Sequence, residues 1–281
     1  MTTVKALEKR VNVNGVDLLY LDWGNENKMP MLCLHGHGSQ AWAFDEFAEA
    51  MSPYFHVLAL NQRGHGGSEW ATNGYARDRF VEDLAAFVDD LELSRFVLVG
   101  LSMGGWHSML YTPGHQERVE RIIIGDIAPE ATPQFVEYWN NRPEIPLEFP
   151  NQEAAVAWGR SANPRASDDR IEKDVLDKVY EREDGIWTHK ADPAILADPL
   201  IDLTDQTIID RYWKGLSAIE CPILHVRGGL SALVSDEVNQ RMARVVKDFS
   251  TVDIADSGHP LTTEKPVEFI EATKSFLGVP A

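Results

Sequence analysis

The sequence is poor in cysteine and in long apolar runs, and each shortage excludes a class of protein. Only two of its 281 residues are cysteines, Cys33 and Cys221. Each lies in an apolar run typical of a buried strand, so we predict reduced thiols and neither a disulfide framework nor a metal site. No apolar run approaches membrane-spanning length. Residues 1–9 are polar and lack the apolar core of a signal peptide, which favours a cytoplasmic location.

Basic residues are also scarce. The chain has 26 lysines and arginines against 44 aspartates and glutamates, so its formal net charge is −18. Nucleic acids and anionic membrane surfaces both require a basic footprint on their protein partners. We therefore predict no nucleic-acid partner and no membrane partner, and we interpret the acidic residues as a solvated surface.

Short apolar runs alternate with stretches of helical spacing along most of the chain. The apolar runs predict strands at Val16–Trp23, Pro30–Leu34, Val57–Leu60, Phe96–Val99, Val119–Ile124, Pro222–Val226 and Thr251–Ile254. Helical spacing is present at Ala41–Met51, Phe80–Leu91, Met103–Tyr111, Asp236–Val246 and Lys265–Leu277. This alternation predicts the α/β class, with a mainly parallel sheet covered by helices on both faces.

One long segment breaks the alternation. Residues 129–213 are rich in charge, proline and tryptophan and have no clear strand, whereas pieces such as Ile171–Glu181 have helical spacing. We predict a helical cap over 129–213, inserted into a core formed by residues 1–128 and 214–281.

A glycine-rich turn follows the strand Phe96–Val99. It reads Gly-Leu-Ser-Met-Gly-Gly at residues 100–105 and precedes a predicted helix. A serine becomes a useful nucleophile when a tight strand-to-helix turn exposes it beside a base, and the positions two before and two after it must then be small. Gly100 and Gly104 meet that demand. An ordinary glycine-rich turn is the alternative, but the strand before and the helix after favour Ser102 as a nucleophile.

A second motif, Leu-His-Gly-His-Gly at residues 34–38, ends another predicted strand. Acyl transfer creates a tetrahedral oxyanion that needs two hydrogen-bond donors. We expect one donor to be the N–H of Met103, next to the nucleophile, and the other to be the N–H of His37. We expect His35 to bond loop backbone. The His37 side chain either binds substrate or simply lines the pocket.

A serine nucleophile requires a base, and the strongest candidate is a histidine late in the chain. Asp-Ser-Gly-His-Pro at residues 256–260 places His259 between a strand and the last helix. The other histidines lie in strands, helices, turns or the predicted cap, where core, surface or pocket roles suffice. His189, in the cap, is positioned to reach a substrate. We therefore predict His259 as the base.

These motifs together resemble those of the capped α/β hydrolases. They are the pair His-Gly at 35–36, Gln-Arg-Gly-His-Gly-Gly-Ser at 62–68, the serine turn, and Ser-Gly-His at 257–259. The resemblance covers nearly the whole chain and implies an eight-stranded α/β-hydrolase sheet with an inserted cap. It further implies that the turn containing Arg63 and His65 is structural. Asn61 stands where the family usually has aspartate.

The acidic residue that would orient the histidine base departs in position from the common family pattern. Most members place it after the seventh strand, where this chain has Ser231 and Ala232, which cannot orient an imidazole by charge. Asp236 comes later, at a helix start, where capping explains it. The alternative is Asp126, in Ile-Gly-Asp-Ile-Ala-Pro at 124–129, a turn that resembles that of (acetamidomethylene)succinate hydrolase. A histidine base needs an orienting partner, so we prefer an acid role for Asp126 to helix capping.

The resemblance and the residues together predict a serine hydrolase. Ser102, His259 and Asp126 would cleave a small carboxylic ester, lactone or related acyl bond through an acyl-enzyme. We expect a small-molecule substrate, no metal or other cofactor, and a monomer or homodimer.

Four further residues are candidates for substrate binding. Trp42 and Trp106 adjoin the two oxyanion loops, and Trp158 and Arg160 lie in the cap. An arginine facing the pocket would suit a substrate carboxylate by bidentate pairing. Packing for the tryptophans and a surface position for the arginine are the alternatives.

Three other functions remain open from the sequence. The same site would serve a carbon–carbon bond or amide hydrolase. A cofactor-independent dioxygenase on this fold also places its acid after the sixth strand, but such enzymes tend to carry histidine where this chain has Met103. A non-catalytic binding protein is disfavoured because Ser102 and His259 are both intact.

Overall fold

Two sheets organise the residues that the computed structural model describes, which are 5–142, 144–197 and 204–280. In chain order the strands are β1 (Leu7–Val13), β2 (Val16–Asp22), β3 (Pro30–Leu34), β4 (His56–Leu60), β5 (Phe96–Leu101), β6 (Val119–Gly125), β7 (Glu148–Phe149), β8 (Val179–Glu181), β9 (Trp187–His189), β10 (Ile223–Gly228) and β11 (Phe249–Ile254). Over these residues, eight strands form a sheet in the order β1-β2-β4-β3-β5-β6-β10-β11, and β7-β9-β8 form a smaller one.

The large sheet is mainly parallel, as predicted. From β4 to β11 every neighbouring pair is parallel, whereas β2 is antiparallel to both β1 and β4. Successive residues alternate between two apolar layers. Leu32 and Leu34 face one layer, and Met31 and Cys33 face the other. Both faces of β3 are therefore buried, which explains its continuous apolar sequence.

Helices cover both faces of this sheet, and further helices lie in the segment between β6 and β10. In chain order they are α1 (Asp45–Met51), α2 (Arg77–Asp90), α3 (Met103–Tyr111), α4 (Pro133–Asn141), α5 (Gln152–Ala162), α6 (Asp168–Lys178), α7 (Pro193–Leu196), α8 (Gln206–Ser217), α9 (Asp236–Val245), α10 (Leu261–Glu264) and α11 (Pro266–Leu277). Over residues 5–142, 144–197 and 204–280, no helix is long and apolar enough to cross a membrane. Cys33 is buried, and both cysteines are free.

Strand β1 is absent from the sequence prediction. Its residues alternate poorly, because only Val11 and Val13 are buried. A tight turn at Asn14 and Gly15, both with positive φ (52° and 75°), pairs it with β2 at the edge of the sheet. Asn-Gly at such a turn is a strong hairpin signal.

The segment between β6 and β10 is predominantly helical, and we call residues 129–213 the cap segment. It contains α4 to α7 and the first part of α8, whose last four residues lie beyond the predicted boundary at 213, but also the small sheet, which the sequence did not indicate. The helix predicted over Ile171–Glu181 ends at Lys178, and the chain continues as β8. A turn at Asp184 and Gly185 then joins β8 to β9. These strands are only three residues long, too short for a recognisable alternating pattern.

Candidate active site

Ser102 lies on the turn between β5 and α3. Its backbone is in a strained region, with φ of +50° and ψ of −118°. A Cβ atom at Gly100 would overlap the carbonyl of Gly104, and one at Gly104 would overlap the carbonyl of Leu34. Both glycines are therefore required by close backbone packing, as expected for a nucleophile elbow.

The structure brings Ser102, His259 and Asp126 into one hydrogen-bonded row. His259 Nε2 lies 2.9 Å from Ser102 Oγ, and His259 Nδ1 lies 2.8 Å from Asp126 Oδ2. An ionised carboxylate only accepts hydrogen bonds, so Nδ1 carries the proton and donates it to Asp126. The Nε2 lone pair then faces the serine hydroxyl, which is the arrangement that a general base needs.

Asp126 follows β6 in a left-handed conformation, with φ of +44°, and its side chain is only 1% exposed. Its second oxygen, Oδ1, accepts a hydrogen bond of 3.0 Å from the N–H of Gly228. A Cβ atom at Gly228 would overlap the carbonyl of Gly258, next to His259. The ends of β6 and β10 and the histidine loop therefore meet at one carboxylate.

The other acidic candidate faces away from His259. Asp236 is 84% exposed and forms an ion pair of 2.9 Å with Arg227. In the turn after β10, the N–H of Ser231 bonds the carbonyl of Gly228, and the Ser231 hydroxyl accepts from the N–H of Leu233.

Met103 and Gly36 both lie next to Ser102. Met103 is the first residue of α3, so its N–H has no acceptor within the helix. Gly36 lies directly against the serine, because a Cβ atom there would stand 3.1 Å from Ser102 Cβ. This close approach carries the next residue, His37, to the edge of the site.

Buried histidines hold the loop that contains His37. His35 Nδ1 donates to the carbonyl of Gly36 (2.8 Å), and His65 Nε2 accepts from the N–H of Gly38 (3.2 Å). Burial lowers the pKa of His35 well below its usual value and lowers the pKa of His65 to about 4. Both rings are therefore neutral and positioned by backbone, which matches the structural roles expected for them.

The turn after β4 is held by an ion pair and amide contacts. Arg63 is buried and donates two hydrogen bonds of 2.7 Å to Asp83. Asn61, at the position where aspartate is common, accepts from the N–H of Ala41 through Oδ1 (2.7 Å). The asparagine side chain therefore bonds the backbone of a different segment, the one that begins at Ala41.

A cavity of about 580 Å³ lies between the loop that contains His37 and the cap segment. Its wall is largely aromatic and aliphatic, with a few charged groups and histidines. The lining includes His37, Gly38, Trp139, Arg142, Glu144, Ile145, Trp158, Asp174, Val175, Lys178, His189 and Leu196. His37 follows Gly36, the residue that packs on Ser102, so one end of the cavity wall lies next to the loop beside the serine.

The four candidates for substrate binding lie in different surroundings. Trp158 lines the cavity. Arg160 does not: its side chain is 49% exposed and pairs with Asp168 at 2.6 Å. Trp42 packs edge-on against Trp23, with ring centroids 6.2 Å apart.

Trp106 is buried behind the site. Its ring stacks on Tyr212 with centroids 5.2 Å apart, and its Nε1–H donates to the carbonyl of Ala128 (2.8 Å). Both polar and apolar parts of the indole are thereby used within the core.

Sequence reasoning missed most of the cavity wall, including Trp139, Arg142 and Lys178. One usable signal was available for Lys178. It stands four and eight residues after Asp174 and Arg170, a spacing that places three charged side chains on one helix face. Over the ranges that the structure describes, no group of three His, Cys, Asp or Glu side chains is placed to hold a metal ion.

Comparison with known proteins gives consistent matches over nearly the whole chain. A 3-hydroxybutyrate-oligomer hydrolase from Cupriavidus necator is 28% identical over 273 residues, covering 93% of each chain. An esterase from Mycobacterium tuberculosis is 25% identical over 265 residues, covering 92% of this chain and 85% of that protein. The crystal structure of E-2-(acetamidomethylene)succinate hydrolase matches with a TM-score of 0.87 at 23% identity, covering 98% of this chain and 100% of that one.

The structural match supports the fold, and a match to a family model identifies the family. The family model described as "Alpha/beta hydrolase family" matches residues 31–272, which is most of the sequence. The esterase and hydrolase names of the relatives agree with that assignment. The chain belongs to the α/β hydrolase family.

Proposed function

We propose that the protein is a serine hydrolase that cleaves a small carboxylic ester through an acyl-enzyme. The observation that carries this proposal is the row from Ser102 Oγ through His259 to Asp126, with hydrogen-bond distances of 2.9 and 2.8 Å. Esters are favoured over other acyl bonds because one relative is named an esterase. Another relative is named for hydrolysis of 3-hydroxybutyrate oligomers.

In the proposed reaction, His259 Nε2 removes the proton from Ser102 as its Oγ attacks the substrate carbonyl carbon. Asp126 accepts a hydrogen bond from Nδ1 and stabilises the imidazolium that forms. The N–H groups of Met103 and His37 hold the oxyanion, and each such donor contributes about 10²- to 10³-fold to the rate. The imidazolium then protonates the leaving alkoxide, and a water molecule activated by the same histidine releases the acid.

The proposal is tested by following p-nitrophenyl butyrate at high enzyme concentration. We expect a rapid release of p-nitrophenol equivalent to the enzyme present, followed by slower turnover, because the acyl-enzyme accumulates. A fluorophosphonate probe should label the wild-type protein and fail to label Ser102→Ala.

Ser217→Ala is the matched control, because this serine is exposed and its hydroxyl bonds only the nearby carbonyl of Lys214. Its burst and labelling should equal those of the wild type. Unchanged labelling of Ser102→Ala, or none of the wild type, would contradict the proposal. Amide, lactone and carbon–carbon bond substrates in the same assay would establish which bond is cleaved fastest.

A further inference from the structure

One face of α6 carries three charged residues at a spacing of four. Arg170 donates to Asp45 Oδ1 (2.8 Å), and Asp174 Oδ2 accepts from the hydroxyl of Thr263 (2.6 Å). These two contacts fasten the helix to the core. Lys178 is the next residue along the same face. It therefore points toward the core as well, but at its position the cavity lies in between.

Among the residues that the structure describes, none is a counter-ion of Lys178. Its ammonium group makes no hydrogen bond or ion pair with any residue in the described ranges, although its side chain is half-buried. The neighbouring acids are already engaged, since Asp174 pairs with Arg170 at 2.9 Å and Asp177 pairs with Lys173 at 3.0 Å. The ammonium therefore has its positive charge available to an anion that enters the cavity, and a charge-assisted hydrogen bond between them would be a strong one.

The positive charge of Lys178 acts inside the cavity and not only at its rim. It contributes, after burial, to lowering the pKa of both His35 and His189. The ring of His189 donates to the carbonyl of Pro146 through Nε2 (2.9 Å) and remains neutral. Of His189 and Lys178, which both line the cavity, the lysine therefore carries the positive charge that a ligand can meet.

Arg142 is a second positively charged residue in the wall of the cavity. The guanidinium of Arg142 lies 3.6 Å above the ring of Trp139, and both line the cavity. Its charge contributes to lowering the pKa of His37 to about 3. Glu144 also lines the cavity but is exposed, where solvent screens its charge. Asp174 shares Arg170 with Asp45 and Glu46, so among these groups it is Lys178 whose positive charge is open to a ligand anion.

We propose that Lys178 binds a carboxylate of the substrate. The preferred substrates are then esters whose acyl chain carries a free carboxylate remote from the scissile bond. This inference rests on the proposed serine hydrolase function. The acyl chain is the part that stays bound through both half-reactions, so a group that recognises it acts in both. The cavity reaches from His37, beside the nucleophile, to Lys178, so one ligand can contact both.

The test compares two p-nitrophenyl esters that differ in one charge: p-nitrophenyl hydrogen adipate and its methyl ester. The measured quantity is the ratio of their kcat/KM values, free acid over methyl ester. Lys178→Met keeps the chain length but removes the ammonium. We expect it to lower this ratio about 10- to 100-fold, the range for loss of a charge-assisted hydrogen bond. Lys178→Arg should retain most of the ratio.

Lys214→Met is the matched control, because this lysine is exposed on α8. The substitution changes the net charge by the same amount, but outside the cavity. It should leave both the ratio and the rates unchanged. An unchanged ratio in Lys178→Met would overturn the inference. So would an equal fall of the ratio in Lys178→Met and Lys214→Met, because that would reflect net charge alone.

Binding of adipate to Ser102→Ala, measured by calorimetry, separates this inference from the proposed function. If esters are not hydrolysed but Lys178→Met weakens adipate binding at least tenfold, the carboxylate site stands and the serine hydrolase function fails. If Ser102-dependent hydrolysis is observed but neither the ratio nor adipate binding depends on Lys178, only the carboxylate site fails.

Discussion

Asp126 occupies a backbone conformation that few residues other than glycine adopt, and its side chain is almost fully buried. Such a position is tolerated because both carboxylate oxygens are used, one by His259 and one by Gly228. Its orientation is therefore determined by two separate loops. An asparagine of the same shape would fit, but its amide cannot stabilise an imidazolium by charge.

We predict that Asp126→Asn lowers kcat for p-nitrophenyl butyrate about 10⁴-fold, as the same change does in a known triad. Asp236→Asn is the comparison, because that side chain is exposed and paired with Arg227. It should stay within about twofold of the wild type, since exposed ion pairs contribute little. Similar activity of the two variants would remove Asp126 as the acid.

Gly104 illustrates a residue required by packing alone. A methyl group there would overlap the carbonyl of Leu34, which is backbone and has little room to move. We predict that Gly104→Ala destabilises the fold by about 1–3 kcal/mol or more, as overpacking does. Gly114→Ala is the control, because no atom lies within 4 Å of a Cβ built there. Urea unfolding would measure both, and equal stabilities would contradict the prediction.

The short helix α10 links the cap segment to the loop of His259. Glu264 accepts hydrogen bonds from the N–H of Gly258 (2.5 Å) and from Arg165 Nε (2.9 Å), and its side chain is 1% exposed. Thr263, beside it, bonds Asp174 of α6. The position of the cap segment is thereby coupled to the residue that precedes the histidine.

We predict that Glu264→Ala costs about 1–3 kcal/mol of unfolding free energy, because it leaves the buried N–H of Gly258 without an acceptor. The looser loop should also reduce kcat. Arg165→Ala removes the cation, whose side chain is 44% exposed, but leaves the N–H of Gly258 its acceptor, so it should cost less than Glu264→Ala. Urea unfolding and kcat measurements on both variants test this. A larger effect of Arg165→Ala would show that the ion pair, not the backbone bond, holds the loop.

Elements with a strong local pattern could be predicted from sequence, and elements without one could not. β3 and α3 match their predicted bounds because each combines a continuous or periodic apolar pattern with clear ends. β1 and the pair β8 and β9 in the cap segment were not predicted. Their residues are mostly exposed or their strands very short, so pairing with neighbouring strands stabilises them rather than their own composition.

The whole molecule carries a set of buried histidines that remain uncharged. Burial lowers their pKa, to about 3 for His37 and about 4 for His65 and well below 6.5 for His35 and His107. Between about pH 4 and pH 6.5, the unfolded chain therefore binds more protons than the folded chain. Stability must fall as the pH is lowered through that window.

We predict that the unfolding free energy decreases from pH 7 to pH 5, by about 1.4 kcal/mol per pH unit below 6.5 for each histidine that stays neutral. Relief of repulsion among the surface carboxylates does not offset this loss, because they titrate mostly below pH 5. Urea unfolding at pH 7, 6 and 5 in constant salt provides the measurement. A constant or rising stability toward pH 5 would contradict the neutral state of these rings.

Local sequence was sufficient to predict the mainly parallel sheet and the strand-to-helix turn that carries Ser102, because both depend on patterns among residues close together in the chain. The contacts between distant segments required the tertiary structure. His259 meets Ser102 across 157 positions and Asp126 across 133, and only the order of the strands brings them together. The sequence left Asp126 as a choice between helix capping and contact with the base, and the fold placed it against the imidazole. The unpaired charge of Lys178 was likewise invisible along the chain, because whether a charge has a partner depends on what packs opposite it.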